Sequence, residues 1–122
     1  MWYYPEEGDL VYLVGDGYSG AAGKCQNNSD CQGKENTGPI PQGYYVIGKQ
    51  RDNKTSEGVI LKRSMRLTPY SRNKMLGRAG FLIHNGNMKT KRSSKGCIVL
   101  PNAARKIMGD HLSISNILEV VK

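Results

Sequence analysis

Long apolar runs are missing from this chain. No window approaches eighteen consecutive apolar residues, which excludes a membrane-spanning helix. The amino terminus, Met1-Trp2-Tyr3-Tyr4-Pro5-Glu6-Glu7, lacks both the positive start and the apolar stretch of a secretory signal, so the expectation is a soluble chain with no export signal of its own. Its 122 residues, 38% of them hydrophobic, leave room for one domain and one core, which excludes a cofactor domain joined to a substrate domain. Acidic residues are few, 10 against 18 Lys and Arg, for a net charge of +8.

The excess charge is uneven. Residues 1–48 carry −4, residues 49–95 carry +11 and residues 96–122 carry +1. A field of that kind concentrates anionic partners, and its effect weakens with salt. Nucleic acid, polyanionic wall material and an acidic protein all answer to it, while runs such as Arg63–Arg66 and Lys89–Lys95 also serve simply as a solvated face.

Cysteine is scarce and odd in number. Cys25 and Cys31 are six positions apart in a polar stretch that a disulfide could close, and Cys97 would then be a free thiol beside an apolar run. The competing account is a zinc site of Cys25, Cys31, Cys97 and a histidine, although five intervening residues exceed the usual knuckle spacing.

Apolar alternation or short apolar runs at Leu10–Val14, Tyr44–Ile47, Val59–Leu61, Phe81–Ile83, Cys97–Leu100 and Ile117–Val121, separated by Gly, Pro, Asn, Asp and Ser, predict a chain of short strands. Turn chemistry sits at Gly15-Asp16-Gly17, Gly38–Gly43 and Asn85-Gly86-Asn87. One helix is expected over Pro101–Gly109, with Asn102 as N-cap and Gly109 as the stop. The Asn27–Asn36 region reads as a long loop. The class is mainly β with a minor late helix.

Only two histidines are present. His111 is expected in a polar segment just after the helix. His84 ends the strand Phe81–Ile83, and Cys97 opens the next apolar run after Ser93-Ser94-Lys95-Gly96. Thiolate chemistry needs an accessible cysteine and a base, and His84 supplies the base if the two strand ends adjoin. The twelve residues Asn85–Gly96 permit that geometry without proving it. Gly96 lets substrate approach and frees neighbouring N–H groups for an oxyanion, and Lys95 and Arg92 would favour the thiolate. A buried, inert Cys97 is the competing reading.

The segment Phe81-Leu82-Ile83-His84 followed by Ser94-Lys95-Gly96-Cys97-Ile98 resembles the His…(Ser/Thr)-x-Gly-Cys signature of L,D-transpeptidases, cysteine enzymes of peptidoglycan stem peptides. More closely, the chain resembles small L,D-transpeptidase-like toxins of type VI secretion systems. That pattern runs through Trp2-x-Tyr4, Gly17-Tyr18-Ser19-Gly20, Gly38-Pro39-Ile40-Pro41-x-Gly43-x-Tyr45-x-Ile47, Leu76-Gly77-Arg78-x-Gly80-Phe81-Leu82-Ile83-His84 and the cysteine box. Two positions depart from the wider family: Lys95 stands where His is common, and Val99 where Arg is common. Asn85-Gly86 also replaces a frequent Gly-acid pair.

The resemblance implies one catalytic domain over residues 1–122, an L,D-transpeptidase-like β-sandwich with one or two short helices. It makes Cys97 the nucleophile and His84 the base, oriented by backbone near Asn85, with Ser94 and Gly96 shaping the box and Arg78, Tyr18 and Lys95 as substrate contacts. The reaction would be acyl transfer on tetrapeptide stems, as L,D-carboxypeptidase or D-amino-acid exchange, with no cofactor and no metal. The implied partners are stem peptides, a secretion apparatus and a cognate immunity protein, with action in a target-cell periplasm. The alternative from another class is a non-catalytic basic β-domain that binds anionic wall polymer or nucleic acid. Its stacking surfaces would be the seven tyrosines, which lie mostly in the first half, away from the basic segment.

Overall fold

The computed structural model describes residues 2–4, 11–12, 17–55, 57–87, 89–90, 92–112 and 116–121. Nine strands and one α-helix are assigned among them: β1 Trp2–Tyr4, β2 Val11–Tyr12, β3 Tyr18–Ser19, β4 Gly43–Ile47, β5 Arg51–Lys54, β6 Ile60–Pro69, β7 Leu82–His84, β8 Ile98–Val99, α1 Asn102–His111 and β9 Ile117–Val120. The protein is mainly β with one short helix. A single 3₁₀ turn, Ser29–Cys31, interrupts the polar loop after β3.

All strands join edge to edge in one curled sheet, in the order β2-β1-β9-β4-β6-β7-β8-β3, with β5 off this path on β6. Strand β6 is the hub. Its last residues pair with β4, its middle with β7 and its first half with β5. Arg63 takes a positive φ of 51° where the β5 register shifts, and an extra residue of this kind bends and twists a strand. The polar strand β5 is anchored by buried Asn53, whose Nδ2 donates to Ser64 Oγ at 2.8 Å. The core holds Ile40, Tyr45, Ile47, Met65, Leu67, Phe81, Ile83, Ile98, Leu100, Met108 and Leu118.

Several expectations need correction. In the run Val59–Leu61, exposed Ile60 and half-buried Leu61 open a ten-residue strand that continues through Arg63 and Arg66, both exposed, while exposed Val59 precedes it. In the run Leu10–Val14 only Val11–Tyr12 are described; Leu10, Leu13 and Val14, with Gly15 and Asp16 of the expected turn, lie outside the described residues.

The helix begins differently and ends later than its sequence suggests. Pro101 is the cap position, with no side-chain capping bond, and Asn102 is the first helical residue. Its Oδ1 instead accepts from Arg105 Nη2 at 3.4 Å. Gly109 lies inside the helix, which runs on to include His111. A Cβ at position 109 would press on the Gln50 side chain, whose Nε2 donates to Arg105 O at 3.1 Å, so this glycine allows close packing and does not stop the helix.

Candidate active site

A parallel strand pair brings the cysteine and histidine segments side by side. Strands β7 and β8 align Ile83 with Ile98 and His84 with Val99. Side chains alternate across a strand, so fully buried Ile83 and Ile98 share the core face, while His84 and Cys97 share the other, offset by two residues. The antiparallel β3 closes the far side of β8, pairing Tyr18 with Val99 and Ser19 with Ile98.

His84 is buried, and its Nδ1 lies 2.5 Å from the Asn85 carbonyl oxygen. A carbonyl only accepts, so Nδ1 carries the proton and Nε2 keeps its lone pair. Burial pushes the imidazole below its ordinary value; the Asn85 bond opposes this and the nearby Arg105 charge adds to it. The imidazole is therefore neutral near pH 7.

Cys97 is the free cysteine, partly buried. Its Sγ accepts from Leu82 N at 3.4 Å and lies 4.0 Å from Gly80 O. Burial raises the thiol above its ordinary range, with the Leu82 N–H and the Arg78 charge pulling it partly back. Lys95 and Arg92, expected to favour the thiolate, are both exposed, and the cation acting on the sulfur is Arg78. No hydrogen bond joins Sγ to the imidazole among the described residues. The site thus holds a thiol and an imidazole that both rest neutral near pH 7.

Ser94 organises the box. Its buried Oγ donates to Cys97 O at 2.6 Å and accepts from Gly20 N and Gly96 N, each at 3.0 Å. One donor and two acceptor positions are thereby filled. The Gly96 N–H is itself spent on Ser94 and faces no substrate. Gly96 itself, at φ +148°, makes room for another group: a Cβ there would run into Arg78 Nη2 and the Phe81 ring.

The two other expected substrate contacts on this side have structural work. Arg78 is buried, and it donates from Nη1 to Gln32 O and Pro39 O, each at 2.7 Å, and from Nη2 to Gly38 O at 3.1 Å and Lys95 O at 3.3 Å. Its guanidinium also lies over the Phe81 ring, 5.1 Å from the centroid. Tyr18 is buried, its hydroxyl donating to Asn87 O at 2.9 Å and accepting from Ser93 N at 3.2 Å, so it braces the loop between β7 and β8. Only Lys95 has a solvent-exposed side chain that substrate could meet directly.

Cys25 and Cys31 are joined in a disulfide with Cα atoms 5.5 Å apart, which removes two ligands from the zinc alternative. Among the described residues no group of three His, Cys, Asp or Glu could hold a metal ion. No helix among them is long and apolar enough to cross a membrane.

Two contributors escaped the sequence reading. Ser19 Oγ donates to Gly96 O at 2.7 Å and accepts from Ile40 N at 2.8 Å, although its segment was part of the recognised pattern. Arg105, a helix residue with no local signal, donates to Leu100 O at 3.2 Å and to Arg63 O at 2.9 Å, while Leu100 N donates to His84 O at 3.2 Å.

With this arrangement of thiol, imidazole and box in place, the family model that matches is the Tlde1 domain, over residues 14–122. The chain belongs to the Tlde1 domain family. Tlde1 domains form a type VI secretion effector family of L,D-transpeptidase-like character. No curated protein and no solved structure matches the chain significantly. Within the Tlde1 match lie both His84 and Cys97, together with β3 to β9 and the helix.

Proposed function

We propose that this Tlde1 domain is a single-domain cysteine enzyme of peptidoglycan, acting on tetrapeptide stems as an L,D-carboxypeptidase, an L,D-transpeptidase, or both. One observation carries the reading: His84 of β7 and Cys97, the residue just before the parallel partner β8, fall on the same side of the sheet by strand alternation, while Nδ1 is spent on Asn85 O, which leaves Nε2 its lone pair.

In the proposed cycle Cys97 Sγ attacks the carbonyl between meso-diaminopimelate and D-alanine as His84 Nε2 takes the thiol proton. Because both groups rest neutral, proton transfer accompanies attack. The Cys97 N–H meets the developing oxyanion. Collapse breaks the C–N bond, His84 returns the proton to the amine, and D-alanine leaves. Water or an incoming D-amino acid then resolves the thioester, with His84 again as base. Loss of donor stems weakens cross-linking, which suits an effector delivered into a target-cell periplasm and restrained in its producer by an immunity protein that covers Cys97.

Digestion of purified peptidoglycan tests this. The wild type should convert tetrapeptide to tripeptide muropeptides, or exchange the terminal residue when D-amino acid is added. Cys97→Ala and His84→Ala should do neither while remaining folded. Intact tetrapeptides after wild-type digestion, with binding of the protein to wall polymer, would support the non-catalytic basic domain instead.

A further inference from the structure

Next to the Arg78 clamp, which holds the carbonyl of its lining residue Gln32, lies a cavity of about 350 Å³ whose lining does not include Cys97 or His84. Its lining includes Gln32, Gln42, Arg72, Asn73, Lys74 and Leu76. Arg72 is held without a carboxylate: its guanidinium sits 5.3 Å from the Tyr44 ring centroid and 5.6 Å from that of Tyr70. Stacking on π faces holds the planar fork in place and leaves its N–H edge free for two parallel bonds to a carboxylate. Lys74 adds a second cation, and neither side chain has a hydrogen bond or ion pair among the described residues.

The remaining walls suit a peptide. Asn73 is locked, its Nδ2 donating to Tyr44 O at 2.8 Å and its Oδ1 accepting from Tyr44 N at 3.1 Å. Gly43, at φ +136°, lies so close that a Cβ would strike the Asn73 side chain. Gln32 Oε1 accepts from Gln42 N at 2.9 Å, which leaves Gln32 Nε2 and the Gln42 side-chain amide unpartnered among the described residues. Amides offer both donors and acceptors, the complement of a peptide main chain, and half-exposed Leu76 supplies an apolar wall. The cavity is also tied to the nucleophile: Gln32 O and Lys95 O are held by opposite arms of the same guanidinium.

We propose that this cavity is a second subsite that binds a carboxylate of an acidic peptide, with Arg72 gripping the carboxylate, Lys74 adding charge and Gln32 and Gln42 holding the main chain. Taking that peptide to be a wall stem rests on the proposed function.

The test uses the full chain carrying Cys97→Ala, titrated by calorimetry with a synthetic tetrapeptide stem bearing free carboxylates and with the same stem amidated. Amidation should weaken binding about tenfold or more, as expected when a charge-assisted pair is lost. R72Q/K74Q on the same background should weaken the free-acid stem to a similar degree and erase the preference, and Arg72→Lys should fall between. Without Cys97→Ala, R72Q/K74Q should be alkylated at Cys97 by iodoacetamide at the parental rate, which shows that the thiol site is undisturbed. Retained affinity and preference in R72Q/K74Q would overturn the subsite. If R72Q/K74Q cuts stems with unchanged KM, the subsite falls and the reaction stands. If the wild type leaves stems uncut while the free-acid preference still depends on Arg72 and Lys74, the reaction falls and the subsite stands.

Discussion

Cys97 and His84 are perturbed in opposite directions by the same cause. Burial disfavours the charged form of each, raising the thiol and lowering the imidazole, and their backbone partners and Arg78 offset only part of this. The consequence for stability can be signed. Below pH 6.5 the unfolded chain protonates histidine more readily than the folded one, so stability falls as pH drops from there towards the lowered folded value. Above pH 9 the unfolded chain ionises cysteine first, so stability falls as pH rises towards the raised folded value. Between them the pair contributes no slope. For reactivity, alkylation of Cys97 by iodoacetamide in the absence of substrate should stay slow through neutrality and rise only above pH 9. A fast plateau between pH 6 and 8, the mark of a thiolate paired with imidazolium, would contradict the neutral pair.

At the scale of elements, the strand ends alone do not hold the site together. Side chains from outside β7 and β8 do so: beside Ser94 and Ser19, Tyr18 of β3 braces Asn87 and Ser93, and Arg78 ties the 32–39 loop to the turn before Cys97. Arg78→Met keeps much of the side-chain stem but leaves four carbonyls without this donor. It should cost about 2 kcal/mol or more, measured as a lowered urea midpoint with unchanged m-value. Its Cys97 alkylation profile should also move, because the one cation acting on the sulfur is gone. An unaltered midpoint would mean that water satisfies those carbonyls without loss. Strand β5 and the helix teach a related lesson. Arg51–Lys54 has no apolar alternation and becomes a strand because Asn53 finds Ser64 across the hairpin. Gly109 resembles a helix stop only while Gln50 is out of view.

For the whole molecule, the disulfide closes the loop that feeds Arg78 its acceptors, since Gly38 packs against the Cys31 backbone so tightly that any Cβ would strike that carbonyl. Loop-closure entropy for a six-residue separation is worth about 2 kcal/mol, so the double variant C25A/C31A should lose roughly that amount in urea unfolding. No loss would show that the loop is held by its other contacts alone. The mainly β class was legible in the sequence because period-two alternation and turn residues act within a few positions, and the late helix was legible from its helix formers. The candidates Cys97 and His84 were legible because few residue types perform nucleophilic and base chemistry and the order of the motifs is distinctive. Tertiary structure alone decided what each neighbour does. Arg78, Tyr18, Ser19 and Ser94 all carry polar groups that could have faced substrate. They are instead spent on backbone atoms 2 to 77 positions away, because a buried donor or acceptor must find a partner and the fold determines which ones come within reach.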